Sequence, residues 1–147
     1  MDLLNPTSKM SKSDEVGNGR VCLMDKPEDI LRKFKRAVTD SDTGRCVYYD
    51  PEKKPGVANL MQIYSSCTGK SFAEIEAEFD GKGYGVFKPA VGEAVVETLR
   101  PIREEAEHIL RDKAYLEGIC RTGAERASYV AERTLRKVYK KVGLVQK

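Results

Sequence analysis

The 147-residue chain has a single histidine, four scattered cysteines and no C-x-x-C pair. Zinc-knuckle and ferredoxin-type clusters need closely spaced ligands, so both readings fail on spacing, and no metal is expected. Cys22, Cys46, Cys67 and Cys120 read instead as small, mostly buried apolar residues of a reducing compartment. No apolar run approaches the roughly 18 residues that a membrane span requires, and no signal-peptide pattern opens the sequence. No membrane partner and a cytoplasmic address are the matching expectations. Net charge is low at +3, too little to announce a nucleic-acid partner by itself.

The composition that remains, 40% hydrophobic and 33% charged, describes a chain with a core and a well-solvated surface. Its length suffices for one domain without disulfides or a metal. Basic charge is concentrated at one end: from Arg121 onward there are eight Lys/Arg against two acids.

Periodicity predicts a mainly helical fold. A brief strand is expected at Val21–Met24, then a helix started by Asp25 and Pro27 with Ile30, Leu31, Phe34, Ala37 and Val38 on its apolar face. The stretch 40–44 ends it, and Arg45–Asp50 reads as a short extended piece. Pro55-Gly56 opens a second helix carrying Val57, Leu60, Met61 and Tyr64 on one face. Ser71 and Glu74 have the spacing of a capping box, opening a third helix with Phe72, Ile75 and Phe79 as its buried stripe. Gly81-x-Gly83-x-Gly85 lacks the preceding hydrophobic strand of a dinucleotide site and reads as a turn, with Tyr84 as a packing anchor.

Beyond it, Val86, Val91, Val95, Leu99, Ile102, Ala106 and Leu110 continue a helical pattern, with a kink or fresh start expected at Pro101. A short helix over roughly 113–121 is expected to end at Gly123. In the last helix, about Ala124–Val142, the residues Ala124, Ala127, Ala131, Leu135, Val138 and Val142 form an apolar stripe suited to close packing on a neighbour. Arg126, Arg133, Lys137, Lys140 and Lys141 lie mostly off that stripe, either as a solvated surface complementing the helix dipole or as holders of phosphates.

The residues with most chemical content come early. Lys9-Met10-Ser11-Lys12-Ser13 precedes a loop containing Gly17-Asn18-Gly19. Two ammonium groups on long mobile stems, with two hydroxyl donors between and beside them, can follow charge as it develops on a polyphosphate. On residue types alone this is either a phosphate clamp or a solvated polar loop.

The five-residue string resembles the K-M-S-K-S signature of class I aminoacyl-tRNA synthetases. In order along the chain, Ala37–Ser41, Pro55–Leu60, Ile63–Ser65, Gly81–Lys88, Leu99–Ile102 and Gly123–Ala127 then resemble the C-terminal part of the bacterial tryptophanyl-tRNA synthetases, over essentially its whole length. Ser11 disfavours the sister tyrosyl family, whose loop usually has Gly there.

That resemblance implies a helical bundle of the anticodon-binding type, residues 25–147, preceded by the phosphate loop and the end of a catalytic domain, residues 1–24. It implies ATP with Mg2+, tryptophan and tRNA(Trp) as substrates and partners. The homodimer of the intact enzyme would be formed mainly outside this chain. Lys12 and Lys9 would stabilise the leaving pyrophosphate, with Met10, Ser11 and Ser13 completing the ATP-binding loop and Arg133, Lys137, Lys140 and Lys141 as candidates for tRNA phosphates. The upstream nucleotide fold with its H-I-G-H-like signature is missing here, so the chain alone is expected to be inactive. A free-standing tRNA-binding module and a protein-interaction bundle are the readings from other classes.

Overall fold

A computed structural model describes residues 1–13, 17–42 and 44–145. Among them are five helices: α1 (Pro27–Arg36), α2 (Pro55–Thr68), α3 (Phe72–Glu78), α4 (Tyr84–Arg111) and α5 (Lys113–Val142). The fold is mainly α, and the described residues contain no strand. The chain divides into two compact units, Met1–Arg103 and Glu104–Lys147.

The first unit owns the core. Ile30, Phe34 and Ala37 enter it from α1 and its end, Val57, Leu60, Met61 and Tyr64 from α2, Ile75 and Phe79 from α3 and its cap, and Phe87, Val91 and Val95 from α4. Tyr64, Phe79 and Phe87 meet edge to face with centroids 5.0–6.4 Å apart, an arrangement the ring quadrupoles favour. Two glycines let backbones approach. A Cβ at Gly56 would collide with the Val38 carbonyl, and one at Gly92 would crowd Leu31 and Phe34, so α2 and α4 reach closer than alanine allows. The capping box forms as expected: Ser71 Oγ accepts from the Glu74 N–H at 3.4 Å, and the Glu74 carboxylate accepts from the Ser71 N–H at 2.8 Å.

Several expectations change. Leu31, Val38 and Val86 are exposed, while Lys33, which lies off the apolar face read for α1, is buried at 8% exposure because its ammonium pairs with Asp25 at 2.6 Å. Asp25 is thereby diverted from capping α1. Its burial would raise its pKa, but the Cys22 N–H and the Lys33 charge outweigh that and hold it below the ordinary carboxylate range. Residues 21–24 form a turn, not a strand, since among the described residues no strand pairs with them. The glycine turn before α4 is as expected, with Gly81 at φ +69°. α4 then runs on through both Pro89 and Pro101 with no fresh start. Thr43, in the stretch expected to end α1, lies outside the described residues. Of the cysteines only Cys46 is buried; Cys67 is intermediate, and Cys22 and Cys120 are exposed, so most are not core residues.

In the second unit α5 is one 30-residue helix, closed by Gly143 in the left-handed conformation, whose N–H reaches Tyr139 O. The break expected at Gly123 does not occur, because a helical glycine costs only about 1 kcal/mol and its neighbours are good helix formers. No α5 side chain is buried, so the close packing expected of its small-residue stripe is not made among the described residues.

Candidate nucleotide-binding loop and basic helix

The loop is built from a pinned base. Leu3 is fully buried, its N–H donates to Gly19 O at 2.8 Å, and its carbonyl accepts from the Val38 N–H at 2.8 Å. Asn59, buried in α2, donates to the carbonyls of Met1 and Asp2 at 3.3 and 3.2 Å. The Asp2 carboxylate takes the N–H groups of Leu4 and Asn5 at 2.7 and 2.9 Å and lies so close to Gly19 that no Cβ fits there. Entry and exit of the loop are thus tied to each other and to the core.

From this base the chain presents Lys9, Ser11, Lys12 and Ser13 to solvent, while Met10 packs against the core. No acid pairs with Lys9 or Lys12 among the described residues. Among these residues nothing offsets their charge. Ser11 Oγ accepts from the Ser13 N–H at 3.2 Å, which leaves its own O–H to donate outward. Arg20, to which sequence reasoning assigned nothing, donates from Nη1 to the carbonyls of Ser11 at 3.1 Å and Lys12 at 2.5 Å. Its only advance signal was the Gly-Asn-Gly turn before it: Gly17, at φ +64°, takes a left-handed backbone that glycine tolerates at no steric cost.

Arg133, Lys137, Lys140 and Lys141 are exposed on α5, in the second unit. Positions 133, 137 and 141 recur at i, i+4 and share a face, with 140 one turn from 137. Arg136 is drawn to Glu132 at 3.6 Å, whereas no acid pairs with the other four among the described residues. Their charge, too, is uncompensated.

A third polar group was invisible in the sequence. Lys54, at 2% exposure, is held by Asp42 at 2.8 Å, Asp40 and the Tyr84 hydroxyl at 3.1 Å and Cys46 O at 3.3 Å, with the Tyr48 ring 4.7 Å away. Tyr84 O–H donates to Asp40 at 2.6 Å, so the expected packing anchor works through its hydroxyl. Burial alone would lower the Lys54 pKa, but hydrogen bonds to Asp42, Tyr84 and Asp40 overcome it and push it up. Burial would raise Asp40, yet donors from Tyr84, the Asp42 N–H and Lys54 hold it down. This cluster locks the 40–54 segment to α4 and is structural.

The family described as tRNA synthetases class I (W and Y) matches residues 1–100. A tryptophan–tRNA ligase from Oceanobacillus iheyensis is 48% identical over 147 residues, all of this chain and 44% of that protein. One from Clostridium acetobutylicum is 46% identical over 145 residues, covering 99% of this chain and 42% of that one. Among solved structures, tryptophanyl-tRNA synthetase from Campylobacter jejuni, complexed with ADP and tryptophan, superposes with a TM-score of 0.76 at 26% identity, covering 98% of this chain and 44% of its own. The Mycoplasma pneumoniae enzyme gives 0.68 at 30%, with 99% and 43% covered. The chain spans less than half the length of the relatives it matches. No helix among the described residues is long and apolar enough to cross a membrane. With a lysine-bearing loop on a pinned base, a helical fold shared with these structures and a family match over two thirds of its length, this chain belongs to the class I tRNA synthetases of the W and Y group.

Proposed function

We propose that the chain is the pyrophosphate-gripping and tRNA-facing part of a tryptophan–tRNA ligase. The observation that carries this is the Lys9–Ser13 loop: two exposed lysines that no acid among the described residues pairs with, on a backbone anchored by Met10, Arg20 and the Leu3 pairings. In the full reaction the tryptophan carboxylate attacks the α-phosphate of ATP, pyrophosphate leaves, and the adenylate passes its aminoacyl group to the tRNA terminus. Negative charge grows on the bridging and terminal oxygens of the leaving group, and Lys12 and Lys9 stabilise it there, with Ser11 and Ser13 donating hydrogen bonds. Mg2+ would enter with the phosphates of ATP and add its charge to that of Lys9 and Lys12 on the leaving group. The partition at residues 1–24 and 25–147 separates the loop from the tRNA-recognition helices, and cytoplasmic protein synthesis is the setting.

Tryptophan-dependent exchange between ATP and labelled pyrophosphate tests the reading. A full-length protein carrying this chain should catalyse it, and the 147-residue chain alone should give only background, because the amino-acid pocket and the rest of the ATP site lie elsewhere. Exchange by the isolated chain, or none by the full-length protein, overturns the proposal.

Arg133, Lys137, Lys140 and Lys141 are the proposed contacts to tRNA phosphates, supported by the lack of an acidic partner for any of them among the described residues. Binding then releases counterions, and each phosphate contact adds roughly 0.7–0.9 to the slope of log K against log salt. Replacing Lys137 and Lys140 together by Gln should weaken tRNA binding and flatten that slope by about 1.5, equally for any anticodon, since phosphates carry no sequence information. An unaltered slope in a variant of unchanged helicity assigns the face to solvent.

A further inference from the structure

Arg20 Nη1 reaches the carbonyl oxygens of two successive residues, Ser11 at 3.1 Å and Lys12 at 2.5 Å, inside the stretch assigned to pyrophosphate. Resting on that assignment, we propose that Arg20 is a positioning residue of the loop, clamping its backbone by the carbonyls so that the ammonium of Lys12 and the hydroxyls of Ser11 and Ser13 depart from a fixed frame.

Three observations support the clamp. Arg20 follows Gly19, whose carbonyl is bonded to buried Leu3 and whose Cα lies against Asp2, so the arginine hangs from a point fixed to the core. The loop it holds is otherwise exposed from Ser11 to Ser13, with Met10 as the one residue packed inward. Lastly, two peptide oxygens beside a polyphosphate would repel it; a guanidinium engaging both removes that repulsion and adds a permanent positive charge next to Lys9 and Lys12. Arginine is suited to the task because its planar fork stays charged and pre-organised, whereas a lysine would offer the same charge as a single rotating ammonium.

The test compares Arg20→Gln and Arg20→Lys with the parent by two measurements. In the 147-residue chain, a lysine-specific protease reads how often the loop leaves its held conformation, through cleavage after Lys9 and Lys12; Arg20→Gln leaves the sites unchanged, and the one site added in Arg20→Lys gives fragments that are scored apart from these two cuts. Arg20→Gln should speed both cuts about three- to tenfold, the loss expected for a charge-assisted hydrogen bond partly screened by solvent, and Arg20→Lys should fall between. Cleavage after the lysines of α1 and α5 should not change. In the full-length protein, Arg20→Gln should raise the KM for ATP in pyrophosphate exchange by about three- to tenfold and leave that for tryptophan within twofold, with partial rescue by Arg20→Lys. Cuts at the parent rate in Arg20→Gln would overturn the clamp. Faster cuts with an unchanged KM for ATP would overturn its part in positioning the loop for the nucleotide. A parent protein without tryptophan-dependent exchange would instead fail the ligase reading, and the protease measurement would still decide for or against Arg20.

Discussion

Lys12→Ala in a full-length protein carrying this chain should slow tryptophan activation by about 10²–10³, equivalent to roughly 3–4 kcal/mol, while tryptophan affinity stays nearly unchanged. Lys12 is exposed, meets no acid among the described residues and contributes no core contact, so its removal should leave the fold intact. Its charge matters where negative charge accumulates on departing pyrophosphate, and an interaction stronger in the transition state than in the ground state appears in kcat. Lys9→Ala should follow the same pattern with a smaller loss, because Lys12 is the nearer neighbour of both proposed hydroxyl donors in the chain. Pre-steady-state measurement of adenylate formation separates the possibilities. A Lys12 variant within about threefold of the parent rate would dismiss this lysine as the principal clamp, and weaker tryptophan binding at unchanged turnover would make its role structural.

Lys54→Met should destabilise the first unit by about 3 kcal/mol, since removing one member of a buried ion pair strands its partners. For a domain of about 100 residues that is a fall in Tm of more than roughly 10 °C. Asp40 is the residue stranded: its Oδ2 is already buried without a partner, and Oδ1 would retain only Tyr84 and the Asp42 N–H. Methionine preserves most of the stem's volume, so the loss reports the charge and not a cavity. Lys54→Met combined with Asp40→Asn should cost less than the two single changes added together, a coupling that a double-mutant cycle measures.

The pH dependence follows from the same cluster. The depressed Asp40 contributes stability above its unfolded pKa of about 3.9, lost as pH falls through the lower folded value. The raised Lys54 contributes fully below its unfolded pKa of about 10.4 and fades only as pH climbs through the higher folded one. The parent should therefore keep a plateau between these limits, and in Lys54→Met, where Asp40 loses a donor and a nearby positive charge, the stability lost on acidification should be smaller. Thermal melts within 0.5 kcal/mol of the parent across this range would show that the cluster is dispensable.

The helices were legible where periodicity and capping agreed. α2 shows its whole apolar face in Val57, Leu60, Met61 and Tyr64, and the Ser71–Glu74 box announces α3 at the correct residue. The sequence misled where local punctuation was outweighed: Pro101 and Gly123 signal interruption, yet the surrounding helix formers carry α4 and α5 through. Phe87, fully buried, is missing from the apolar pattern read from Val86, although it stands four residues before Val91. Lys33 and Lys54 were the hardest to foresee, since a lysine's burial depends on acids that folding brings to it; Asp40 lies 14 residues from Lys54 and Tyr84 30. The loop was legible as a motif because its residues act through their own charge. Arg20 was not, because its partners are main-chain atoms that every residue possesses.

The pinning of Leu3 to Gly19 and Val38 turns the intervening segment into a closed ring on a rigid mount. In such a ring the entropy of closure is already fixed at the neck, and lengthening it twofold would cost only about 0.6 kcal/mol. Mutation at the exposed tip, from Ser11 to Ser13, is therefore nearly invisible to folding, whereas mutation at the neck, at Asp2, Leu3, Gly19 or Asn59, is felt by the whole unit. Selection on the two can proceed separately. In the role proposed for it, the tip can be tuned residue by residue without renegotiating the scaffold, and an engineer wishing to alter the loop should work between the clasps and leave them untouched.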